Sequence, residues 1–196
     1  MMDPTHKDGD KEQAAGSKRP SLPGDLSHDE MIDRIIRVDH AGEFGARRIY
    51  EGQLAVLKSH PEAAVIRHMY EQELSHLQTF EKLMVQRRVR PSALHPIWNL
   101  AGFALGAATA MLGPKAAMAC TVAVEEVIEE HYREQEQQLD HKEPELKATI
   151  ERFRAEEAEH RNIGLQRGAE EATAYPLLTT AIKTGSRLAI WLAERI

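Results

Sequence analysis

The chain has 196 residues, a formal net charge of -6, 42% hydrophobic and 29% charged side chains, and 5% aromatics. That length suits one domain with a sizeable core, and the composition is ordinary for a soluble or surface-attached protein. The acidic balance argues against a nucleic-acid surface, and a single cysteine, Cys120, excludes an internal disulfide, a rubredoxin-like iron and a zinc ribbon.

Residues 1–27 carry many Asp, Lys, Gly and Pro and almost no apolar side chains, which predicts a disordered polar tail. It holds no apolar run for a secretory signal, and its acidic residues argue against a mitochondrial transit peptide, so a cytoplasmic or already processed form is expected. Ser27 and Glu30 have the spacing of a capping box, predicting a first helix over 28–59, with Pro61 opening a second over 61–88. Pro91 and Pro96 break the pattern, and an apolar stretch over 97–112, polar only at Asn99 and Thr109, precedes Gly113-Pro114. Helices over 114–139 and 144–168 follow, then a last amphipathic helix over 175–196. Helix formers abound and no alternating strand pattern is bounded by turn residues, so the expected class is all-α.

Two Glu-x-x-His motifs, Glu73/His76 and Glu157/His160, lie on the second and fourth predicted helices, 30 residues after Glu43 and 32 after Glu125. Residues three apart on a helix project from one face, so each pair can bind one ion. About one such motif would arise by chance in a chain this rich in Glu and His, so context decides. On the first helix the ligand stripe reads Ile32, Ile36, Asp39, Glu43, Ala46, Tyr50, Gln53, Leu57, and on the second Ile66, Met69, Glu73, His76, Phe80, Leu83. The third gives Met118, Thr121, Glu125, Ile128, Tyr132, and the fourth Leu146, Ile150, Phe153, Glu157, His160, Gly164. Each proposed ligand thus sits among apolar neighbours, where an unpaired carboxylate would cost several kcal/mol. The order Glu, Glu-x-x-His, Glu, Glu-x-x-His over four helices is that of ferritin-like di-metal bundles, and carboxylates with two imidazoles suit iron or manganese better than zinc.

The expected fold is therefore a ferritin-like four-helix bundle over 28–196, with an apolar crossover helix between its second and third helices and a C-terminal amphipathic helix. Glu126, Glu129, Glu130, Glu134, Glu136, Glu151, Glu156 and Glu159 read as solvated faces, and Cys120 as a small core residue. Sixteen residues of helix in the crossover span about 24 Å, short of the roughly 30 Å hydrocarbon layer, so attachment to one leaflet is favoured over spanning it. Arg87, Arg88 and Arg90 before the crossover, and Lys183, Arg187 and Arg195 in the last helix, are placed to meet anionic headgroups.

Long stretches carry a more specific signal: RIIRVDHAGEFGARRIYEGQ at 34–53, YEQELSHL at 70–77, RVRPSALHPIWNLAGFALGAATAMLG at 88–113, MACTVAVEE at 118–126 and FRAEEAEHRNIGL at 153–165. In these the chain resembles the demethoxyubiquinone hydroxylase family of ubiquinone biosynthesis, from about Ile32 to Ile196. The resemblance implies a di-iron monooxygenase that uses O2 and two electrons to hydroxylate the ring of a polyprenylated demethoxy-quinol. It implies metal ligands Glu43, Glu73, His76, Glu125, Glu157 and His160, with two Fe(2+) per chain bridged by Glu73 and Glu157. It also places His131 and Tyr132 beside the site, and Asp39 is positioned to orient a ligand imidazole. The expected location is peripheral, on the cytoplasmic face of a bacterial membrane or the matrix face of the mitochondrial inner membrane. A lipid-presenting partner protein is implied by the same resemblance, and the residues leave the oligomeric state open, a homo-oligomer included. No dinucleotide fingerprint is present. Two rival readings share parts of these features: an iron-storage or peroxide-scavenging bundle, and a non-enzymatic lipid-binding module.

Overall fold

The computed structural model describes residues 22, 24–139 and 141–196. Of the tail expected at 1–27, residues 1–21 and 23 lie outside the described residues. Six α-helices follow: α1 His28–Leu57, α2 Ala63–Arg87, α3 His95–Met111, α4 Pro114–Gln138, α5 Pro144–Gln166 and α6 Tyr175–Ala193, with no strand among the described residues. The Ser27–Glu30 capping box forms in both directions, satisfying two donors that the first turn of α1 leaves open. Pro61 falls in the turn before α2 instead of starting it, because His60 and Ala63 close hydrogen-bonded turns on Leu57 and His60. At the crossover, by contrast, Pro96 sits in the first turn of α3, where its missing N–H costs nothing, so the helix starts before 97.

Two apolar clusters define the bundle. One gathers Tyr50 and Leu57 of α1, Ile66 and Met69 of α2 and Met118 and Val122 of α4. The other gathers Ile32 and Ile36, Phe80 and Met84, Tyr132, and Ile150 and Phe153 from the opposite ends of α1, α2, α4 and α5. Helix α1 therefore runs antiparallel to α2 and α4 and parallel to α5, the up-down-down-up order with one long crossover. The six ligand-stripe residues lie between the two clusters along the helices, so burial of apolar side chains above and below fixes their height.

The crossover is not an appendage. Helix α3 lies along α1, and a Cβ on Gly52 would overlap the Phe103 carbonyl while one on Gly106 would overlap the Ile49 carbonyl. Glycine permits this close approach, which buries Gly102, Gly106, Thr109 and Ala110 on one side of α3. Its other side leaves Ile97, Leu100, Met111 and Leu112 exposed. Helix α6 lies along α4, burying Ile182 against Cys120, Ala123 and Val124 and exposing Leu177, Leu188 and Trp191. Cys120 is fully buried, as a core residue should be. The basic residues read as headgroup contacts are largely engaged elsewhere: Arg87 pairs with Glu143, Lys183 with Glu126 and Arg187 with Glu130.

Candidate metal centre

Glu43 on α1, Glu73 and His76 on α2, Glu125 on α4, and Glu157 and His160 on α5 meet in the middle of the bundle, each no more than 1% exposed. They form two groups whose donor atoms lie within 4.8 Å of one another, and each group could hold a metal ion: Glu43, Glu73, His76 and Glu157, and Glu73, Glu125, Glu157 and His160. Glu73 and Glu157 belong to both groups.

Every polar atom in this chamber must find a partner or remain a desolvated charge. Tyr132 donates its hydroxyl to Glu43, and Tyr50 donates to Glu125 Oε1 at 2.6 Å. That leaves one oxygen without a hydrogen bond on each of Glu43 and Glu125, both oxygens on each of Glu73 and Glu157, and Nδ1 on each histidine. His76 Nδ1 lies 3.0 Å from Glu157 Oε1 and 3.3 Å from Glu43 Oε2, and His160 Nδ1 lies 3.1 Å from Glu73 Oε1 and 3.3 Å from Glu157 Oε2. Neighbouring ligands about 2.1 Å from one ion lie about 3.0 Å apart at right angles. The unpartnered atoms thus have the distribution of two shared carboxylates, two unshared ones and two imidazoles.

The outer nitrogens explain why Nδ1 faces inward. His76 Nε2 meets Glu156 Oε2 at 2.5 Å, and His160 Nε2 meets Gln72 Oε1 at 3.0 Å. Both partners are oxygens that accept, so Nε2 donates to them and Nδ1 is the nitrogen left facing the chamber. Glu156 is therefore not a residue of a solvated face, as its position in a Glu-rich stretch suggested; it is half-buried and reaches across to the other hairpin. Asp39 does not orient an imidazole either. Its Oδ1 accepts from Gln135 Nε2 at 2.6 Å, and Gln135 Nε2 also lies 2.8 Å from His131 Nε2. Tyr132 thus reaches the site directly, while His131 stands one residue removed from it, beside Asp39 at 3.8 Å. Tyr50, Gln72, Glu156 and Gln135 were not anticipated at the site. Tyr50 follows Glu43 by the same seven positions that separate Tyr132 from Glu125, so the internal repeat was the available signal.

Crowding four carboxylates in one buried chamber shifts their protonation. Burial first, then the charges of Glu157, Glu43 and Glu125, push Glu73 well above the usual carboxylate range, and burial with Glu157 does the same to Glu125. Burial also works against ionised Glu157, but the close approach of His76 at 3.0 Å and His160 at 3.3 Å outweighs it and holds that carboxyl low. Conversely, burial opposes charge on His76 and His160, yet the carboxylates around them raise both. Burial first, and the charge of Glu43 after it, push Asp39 well above the usual carboxylate range against the Gln135 hydrogen bond.

A second space adjoins this chamber. A cavity of about 520 Å³ between α1, α3, α4 and α6 is lined almost wholly by apolar or small residues, among them Gly42, Ile49, Trp98, Leu105, Ile182 and Gly185. Ala46 and Ile128, one turn beyond Glu43 and Glu125 on the ligand stripes, line it too. Its size is that of a small-molecule site.

Four helices each turning a carboxylate inward, two of them with His three residues on, and joined by one long crossover, define a ferritin-like carboxylate bundle. Within that class the chain belongs to the family described as Ubiquinone biosynthesis protein COQ7, which it matches over residues 30–193. It is 57% identical over 176 residues to the 3-demethoxyubiquinol 3-hydroxylase of Rhodospirillum rubrum, covering 89% of this chain and 83% of that protein. It is 54% identical over 169 residues to the human NADPH-dependent 3-demethoxyubiquinone 3-hydroxylase, mitochondrial, covering 84% and 78%. The 5-demethoxyubiquinone hydroxylase, mitochondrial, of Saccharomyces cerevisiae is 44% identical over 183 residues, covering 85% and 78%.

Proposed function

We propose that this chain is a di-iron monooxygenase that hydroxylates the ring of a polyprenylated demethoxy-ubiquinol, consuming O2 and two electrons. The observation that carries the reading is the pattern of unpartnered atoms: two on each of Glu73 and Glu157 and one on each of Glu43, Glu125, His76 and His160. Two ferrous ions per chain would be held by those six residues, with Glu73 and Glu157 bridging. Bound iron would supply O2 activation and the transfer of one oxygen atom to the ring.

The remaining chemistry belongs to the chain. Tyr50 and Tyr132 hold the unshared carboxylates in place, and Gln72 and Glu156 hold the imidazoles. The apolar cavity accommodates the ring and the start of its tail, with Ile49, Val124 and Ile128 excluding water from the metal side. Helices α3 and α6 wall that cavity and also carry the exposed apolar faces, so docking those faces on a lipid surface would set the cavity beside a membrane-borne substrate. No helix among the described residues is long and apolar enough to cross a membrane. The setting we favour is peripheral, on the cytoplasmic face of a bacterial membrane or the matrix face of the mitochondrial inner membrane, with residues 28–196 acting as one catalytic unit. A lipid-presenting protein and a second copy of the chain are the partners this placement allows.

The test is Glu157→Ala, assayed for iron content and for hydroxylated quinol. Loss of both is expected, since Glu157 serves both donor groups. Two irons per chain with full turnover in the variant would refute the assignment.

A further inference from the structure

The metal chamber repeats almost perfectly about a pseudo-twofold axis, and the repeat crosses between hairpins. Adding 82 to positions on α1 gives their counterparts on α4: Glu43 and Glu125, Tyr50 and Tyr132, Gln53 and Gln135. Each tyrosine serves the other helix's glutamate, and Gln53 Nε2 points at Thr121 Oγ1 at 3.5 Å as Gln135 Nε2 does at Asp39. Adding 84 relates α2 to α5: Glu73 and Glu157, His76 and His160, and the residue before each bridging glutamate, Gln72 and Glu156. Those last two also cross, Gln72 holding His160 and Glu156 holding His76.

Here the symmetry breaks in charge. One imidazole leans on a neutral carboxamide and its twin on a carboxylate. A carboxylate accepting from Nε2–H draws the proton outward, raises electron density at Nδ1 and makes that nitrogen a stronger donor to a cation. The other departure, Asp39 opposite Thr121, does not brace a ligand imidazole, because its Oδ1 accepts from Gln135 Nε2 at 2.6 Å. Resting on the metal-centre reading above, we propose that Glu156 and Gln72 are positioning residues that make the two half-sites unequal: the Glu43–His76 half is the tighter metal site and the Glu125–His160 half the weaker one.

Cobalt(II), which reports its ligand field in visible absorption and is stable in air, can be titrated into the metal-free full-length chain. Repulsion between adjacent ions separates two binding steps even in a symmetric site, so single-site chains are compared. His160→Ala leaves the His76 half and His76→Ala leaves the His160 half. The former is expected to bind cobalt about 10- to 100-fold more tightly, the range by which a histidine's outer partner alters metal affinity. Introducing Glu156→Gln into the His160→Ala chain should abolish that advantage. Introducing Gln72→Glu into the His76→Ala chain should confer it, a gain that a merely structural role for residue 72 would not produce. In the otherwise unaltered chain, Glu156→Gln should draw the two binding steps together, and the exchange Gln72→Glu with Glu156→Gln should separate them again. Equal affinities in the two single-site chains, or a ratio that neither substitution moves, would overturn the inequality while leaving the two-metal site standing. Failure of the unaltered chain to bind cobalt would overturn both.

Discussion

Six ionisable side chains share one buried chamber, and their protonation in the metal-free protein follows from burial first and mutual crowding second. Glu73 and Glu125 are pushed up, first by burial, and His76 and His160 are raised by the carboxylates around them, so all four are shifted toward holding a proton. Divalent ions must displace those protons, because a ligand nitrogen needs its lone pair and a bridging carboxylate both oxygens. The metal-free state therefore binds more protons than the loaded state, and affinity rises with pH. Metal uptake in weakly buffered solution should acidify the medium, and affinity should climb about tenfold per pH unit for each proton released. Uptake without proton release would show that the carboxylates and imidazoles are already deprotonated before metal arrives.

At the scale of elements, the α1–α3 contact decides how the crossover sits. Glycine costs helix stability in isolation, so its repeated use at Gly52, Gly102 and Gly106 makes sense only where backbones approach closely. Gly106→Leu would drive a side chain into the Ile49 carbonyl, and a loss of at least about 1–3 kcal/mol is expected in thermal or urea melts. Gly185→Ala on α6 is the contrast: nothing lies within 4 Å of its added Cβ, so helix propensity should stabilise the chain by up to about 1 kcal/mol. If both variants melted like the parent, close packing would not be what holds α3 against α1.

Among the described residues, most of the large exposed apolar side chains lie on or beside α3 and α6, the two helices outside the four-helix core. Leu100 on α3 is 72% exposed and Trp191 on α6 is 50% exposed, whereas Lys183 and Arg187 are tied to glutamates of α4. Apolar insertion rather than basic attraction should therefore dominate lipid binding. Leu100→Glu combined with Trp191→Glu should sharply reduce flotation with phosphatidylcholine–phosphatidylglycerol vesicles and leave metal uptake intact. Retention of the parent's binding, or parent binding that high salt abolishes, would contradict an apolar docking face.

Much of this was legible in the linear pattern. The α1 stripe from Ile32 to Leu57 is buried at all eight positions read from the helical period, and the six ligand positions converge, because periodicity and the burial of apolar neighbours are local properties of each helix. Contacts between hairpins were not legible. Glu156 sits about 100° around α5 from Glu157, a direction that reads as solvent until α2 supplies His76 on that side. Asp39 shares the ligand stripe of α1, yet Gln135 of α4 claims its carboxyl before any imidazole can. Which residues turn inward, and in what order along the chain, follows from the helical period of each segment alone. Which of them brace one another across the bundle, and with what charge, follows only from the folded arrangement, since those pairings join residues 75 to 96 positions apart and depend on the relative height and rotation of their helices.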